Sequence, residues 1–73
     1  MNYQKLARQI NKRIHKGIKT DEDKKECVKL DEQLLTFARM ASEEEIEDFR
    51  RRCYCLEIFA MIAAGLAYEE ENK

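Results

Sequence analysis

These 73 residues predict an all-α fold, and three observations predict it. Proline is absent and glycine occurs only at Gly17 and Gly65, while the helix-favouring residues Leu, Ala, Glu, Lys, Arg and Gln dominate. Apolar residues recur at three- and four-residue spacing, the period of a helix face. Thr20–Asp23 and Ser42–Glu45 carry helix-start signatures. The expected architecture is a single domain over 1–73, a helical hairpin followed by a long, mostly apolar third helix. The boundaries read as about 2–17, about 20–41 and about 43–70.

The first helix rests on Tyr3, Leu6, Ala7, Ile10, Ile14 and Ile18, which share one face. Lys5, Arg8, Lys12, Lys16 and Lys19 gather on the opposite side. Gly17 follows the last regular turn, where a left-handed C′ glycine ends a helix, and Lys16 suits the negative helix end. The second helix starts at Thr20, whose hydroxyl caps it, with Asp21, Glu22 and Asp23 in the dipole-favoured first turn. Its apolar set is Cys27, Val28, Leu30, Leu34, Leu35, Phe37, Ala38 and Ala41. Asp31 falls inside that arc, so it reaches a basic partner at the edge or makes a polar contact between helices. The turn from Gly17 to Thr20 is short enough to make the first two helices antiparallel neighbours.

Ser42 and Glu45 form a capping box, so a third helix begins there and the chain turns sharply at Ser42. The alternative is one rod running from the second helix into the third. Within the third helix, residues 53–68 (CYCLEIFAMIAAGLAY) carry a single charge, Glu57. On a continuous wheel residues 46–68 separate into two apolar faces. Ile46, Phe49, Cys53, Leu56, Ala60, Ala63 and Ala67 form one, and Cys55, Ile58, Phe59, Ile62 and Leu66 form the other; a strip through Arg50, Glu57, Ala64 and Tyr68 stays wet. A helix that is apolar nearly all round is central, in a membrane or in an interface. Two short amphipathic helices cannot surround it, because about 26 residues reach about 39 Å against about 21 Å for the first helix. Homodimerisation through Cys55, Ile58, Phe59, Ile62 and Leu66 is therefore expected. Small residues at nearly every turn from Ala60 to Gly65 let backbones cross closely. The stretch is shorter than the about 20 residues a spanning helix needs and holds Glu57 mid-way, which argues against a membrane role.

A domain of this size buries only about 60% of the surface its unfolded chain exposes, so its stability usually draws on disulfides, a metal, oligomerisation or very regular helix packing as well. Disulfides do not supply it, since three cysteines and no signal-peptide pattern point to thiols in a reducing cytoplasm. Cys53-x-Cys55 on a helix directs the sulfurs about 200° apart, unsuited to chelating one metal. No metal or other cofactor is expected. His15 is the single histidine, on the wet side of the first helix with no local serine or carboxylate. Glu43, Glu44, Glu45, Glu47 and Asp48 read as a solvated helix start, with Glu47 and Asp48 placed to pair with Arg51 and Arg52. With no phosphate loop and no nucleophile beside a base, an enzyme is not expected.

Charge is divided unevenly. The first 19 residues carry six basic side chains and no acid, while the remaining 54 hold eight basic and fifteen acidic ones. The expected function is a small non-enzymatic protein-protein interaction module, a homodimer of the kind that serves phages and mobile elements as accessory or inhibitor proteins. It would block an as yet unknown protein partner through charged helix faces. The alternative is a dimeric nucleic-acid binder using Lys5, Arg8, Lys12, Lys16 and Lys19 to follow phosphates.

Overall fold

Asn2 opens the first helix by accepting the Lys5 amide at 3.1 Å, and the chain then forms α1, Tyr3–Lys16. The computed structural model describes residues 2–72, and its further elements are α2 (Asp21–Met40), α3 (Glu43–Arg52) and α4 (Leu56–Glu71). The described residues are all-helical, with no strand. Both expected N-caps are present, and each closes into a capping box, as expected at Ser42 and beyond what was expected at Thr20. Thr20 Oγ1 accepts the Asp23 amide while Asp23 accepts the Thr20 amide, and Ser42 and Glu45 repeat the exchange. The chain therefore turns at Ala41–Ser42, and no single rod joins α2 to α3.

Where one third helix was expected over about 43–70, the structure has two. The helix stops at Arg52, and Cys53, Tyr54 and Cys55 carry the chain round before α4 begins. Asn11 of α1 compensates the interrupted ladder: its Nδ2 donates to the Arg52 carbonyl at 2.8 Å and its Oδ1 accepts the Tyr54 amide at 3.1 Å. One side-chain amide thus satisfies a donor and an acceptor that the break exposes. The gain is burial. A straight rod over 43–70 would be about 42 Å long, longer than the 37 Å greatest dimension of the molecule, and would carry its last turns past the ends of α1 and α2.

Folding back puts α4 against α2, and α1 packs against α2, α3 and α4. The enclosed residues come from all four helices: Leu6, Ala7 and Ile10; Cys27, Leu30 and Phe37; Phe49; Phe59 and Ala63, together with Cys53 at the break. Tyr3, Phe37 and Phe49 form an aromatic row with ring centroids 5.4 and 4.9 Å apart. The three thiols are free. Burial raises the Cys27 pKa and pushes that of Cys53 up to about 11.

Two details of the hairpin differ from expectation. Gly17 has the positive φ foreseen, 77°, but its ψ of 174° is extended, a combination open essentially to glycine alone. Arg13, one of the basic residues of the N-terminal segment, is buried. Its Nη1 lies 3.0 Å from Asp23 Oδ1 and 2.6 Å from Glu26 Oε2, and its Nη2 donates to the Gly17 carbonyl at 3.0 Å. Arg13 therefore ties the end of α1 to the start of α2. Asp31 is partly buried and has no basic partner among the described residues. Desolvation, with Glu32 beside it, raises its pKa.

Candidate interaction surface

The break at Cys53–Cys55 resets the helical phase, so the wheel drawn for one continuous helix does not describe α4. Phe59, expected in a self-interface, is 2% exposed in the chain's own core, and Leu66 packs against that core. Both are corrected from interface to core, because α4 turns that side onto α2. Cys55 is half-buried at the N-cap of α4. Ile58 and Ile62 stay outside, 57% and 43% exposed. Beside them Met61 and Tyr68 are also exposed, and so is Gly65.

Positions 58, 61, 62, 65 and 68 fall within an arc of about 120° at 100° per residue, one uninterrupted stripe along the outer side of α4. No charged residue lies inside it between Ile58 and Tyr68. Glu57 borders it and is drawn 3.6 Å from Arg50. Full burial of an Ile or Met side chain is worth about 1.5–3 kcal/mol, so the stripe represents several unrealised kilocalories per mole. Its C-terminal end is also electrostatically unfavourable within one chain. Glu69, Glu70 and Glu71 occupy the last turn, where the helix dipole disfavours anions, and no basic residue shares that turn.

The second candidate is the basic face of α1. Lys5, Arg8, Lys12 and Lys16 of α1, and Lys19 in the turn that follows it, are all exposed, and none makes an ion pair among the described residues. Tertiary structure adds groups that the linear charge pattern did not indicate. Lys29 of α2 shares a groove with Lys12 and Lys16, and Tyr54, 86% exposed, shares another with Arg8, Arg51 and Arg52. Arg51 and Arg52 are already paired with Glu47 at 3.0 Å and Asp48 at 2.9 Å. Asp48 also accepts the Tyr3 hydroxyl at 2.7 Å, and these hydrogen bonds lower its pKa and raise that of Tyr3. His15 is exposed. Among the described residues no three His, Cys, Asp or Glu side chains cluster as a metal site, and no helix is long and apolar enough to cross a membrane.

Comparison with protein-family models, with curated proteins and with solved structures finds no match to this chain.

Proposed function

We propose that this chain is a non-enzymatic protein-protein interaction module. It self-associates through the outer stripe of α4 and presents charged helix faces to a partner protein, which it blocks sterically, as small accessory or inhibitor proteins of phages and mobile elements do. The observation that supports this reading is the stripe itself. Ile58, Met61, Ile62 and Tyr68 are exposed together on one helix face, and a soluble chain rarely leaves such a surface uncovered without using it. The cytoplasm, with its reduced thiols, is the proposed setting.

The test is molar mass by sedimentation equilibrium under reducing conditions, for the wild type and for Ile62→Glu. The expected result is a wild-type dimer that the substitution dissociates while far-ultraviolet circular dichroism stays helical. A wild-type monomer at every concentration would overturn self-association.

A second reading, a dimeric nucleic-acid binder, is supported by the unpaired cations of α1 and by exposed Tyr54 beside Arg8. Phosphates would lie along the lysines, and a base would stack on the tyrosine. It predicts salt-sensitive binding of arbitrary duplex or single-stranded nucleic acid that the double substitution Lys12→Glu, Lys16→Glu abolishes. Absence of binding at low salt would refute it.

A further inference from the structure

We propose that two copies of the chain pair with their α4 helices antiparallel, the two-fold axis passing between Met61 and Ile62, so that Ile58 of each copy seats over Gly65 of the other. This rests on the reading of the α4 stripe as a self-interface and adds its direction and register.

Two independent features of the stripe choose this arrangement. The first is size. Reversing the sequence order about the midpoint of Met61 and Ile62 sets Ile58 against Gly65 and Met61 against Ile62. A large side chain then meets a position with no side chain, where nothing of the same chain lies within 4 Å of an added Cβ. Parallel pairing would instead set Gly65 against Gly65 and Ile58 against Ile58, leaving a void at one level and crowding at the other. A two-fold interface must be complementary to itself, and only the antiparallel register makes the stripe so.

The second feature is charge. Arg50, Arg51 and Arg52 lie just before α4, and Glu69, Glu70 and Glu71 form its last turn. Antiparallel pairing brings each acidic end alongside the basic junction of the other copy. The cations missing from the C-terminal turn of α4 are then supplied in trans, which relieves the dipole conflict. Arg50 has the loosest pairing of the three, its Nη2 3.6 Å from Glu57 against 3.0 and 2.9 Å in the pairs of Arg51 and Arg52. Parallel pairing would gather six carboxylates at one end.

Disulfide trapping tests the register. In a Cys55→Ser background, Ile58→Cys and Gly65→Cys are made separately and oxidised mildly, alone and as an equimolar mixture. In the antiparallel register two copies of position 58 stand seven residues apart, about 10 Å along the axis, beyond the reach of a disulfide, and the same holds for position 65. The expected result is a covalent dimer from the mixture and little from either variant alone. Strong cross-linking of Ile58→Cys by itself would establish parallel pairing and overturn the proposal. So would a dimer by sedimentation with no cross-link in the mixture.

A second measurement alters neither the core nor the stripe. The triple substitution Glu69→Gln, Glu70→Gln, Glu71→Gln should raise the dimer dissociation constant at least threefold if the acidic ends meet basic ones. Tighter association would mean that the acids repel one another and that the pairing is parallel. A monomeric wild type overturns the self-association reading itself, which separates that failure from a wrong direction.

Discussion

Arg13 offers the sharpest test of the hairpin, because its guanidinium joins α1 to α2 from a position only 6% exposed. Arg13→Met keeps much of the side-chain volume and removes the charge. Asp23, 21% exposed, and Glu26, 59% exposed, then lose the cation at 3.0 and 2.6 Å, and the Gly17 carbonyl loses its donor. Breaking a fully buried ion pair costs about 3–5 kcal/mol. Glu26 is wet enough to rehydrate, which lowers the figure to about 2–3 kcal/mol. Against a total of roughly 4–11 kcal/mol for a chain of this length, that is a large fraction. With about 4–8 °C per kcal/mol for small domains, the thermal midpoint should fall by about 10–20 °C at fixed protein concentration. Glu26→Gln alone should cost about 0.5 kcal/mol. In the double variant it should cost almost nothing more, since its partner is already gone. A fall of less than about 3 °C for Arg13→Met would refute the claim that Arg13 holds the hairpin together.

Gly17→Ala should destabilise by about 1–3 kcal/mol in urea titration, although no atom lies within 4 Å of the added Cβ, because φ 77° with ψ 174° is a glycine conformation; a neutral result would mean that this turn relaxes freely. Asp31→Asn should raise the urea midpoint at pH 7, since a carboxyl whose folded pKa is raised above 3.8 weakens the fold when ionised. That advantage should shrink as acid protonates Asp31 in the parent protein, and an advantage constant from pH 7 to pH 3 would contradict the desolvation argument. Asp23 and Asp48 have the opposite sign: backbone donors at Lys19 and Thr20 depress the first, and Tyr3 and Arg52 the second. Their stabilisation is present above about 3.8 and is lost as pH falls through the lower folded values; Asp48→Asn should remove the Asp48 share of that loss, and leave the Asp23 share, in a comparison of pH 5 with pH 2. Finally, one thiol per chain, that of half-buried Cys55, should react quickly with a maleimide at pH 8, while Cys27 and Cys53 react only on unfolding.

Much of the local structure is legible in the sequence. The Thr20 N-cap, the Ser42–Glu45 capping box, the basic face of α1 and the Glu47–Arg51 and Asp48–Arg52 pairs follow from spacings of three or four residues, because the groups involved meet within one helix. The break at Cys53–Cys55 was not legible in the same way. No proline or glycine marks it, and the group that compensates it, Asn11, lies more than 40 residues away in sequence. A wheel run through the break therefore assigned Phe59 and Leu66 to the wrong side, while Ile58 and Ile62 kept their outward place. Arg13 eluded the charge pattern for the same reason, since the carboxylates it pairs with belong to the next helix.

The sequence by itself determined that the chain is helical, where α1, α2 and α3 begin, and that residues 53–68 hold more apolar surface than short amphipathic neighbours can cover. These are consequences of local hydrogen-bond geometry and composition, which act over a single turn of helix. Tertiary structure alone decided how that surface is divided. Bringing α4 back onto α2 buries Phe59 and Ala63 and leaves Ile58, Met61, Ile62 and Tyr68 outside. The choice turns on which side of α4 gains most by leaving water against α2, and on whether a distant amide can satisfy the backbone where the helix stops.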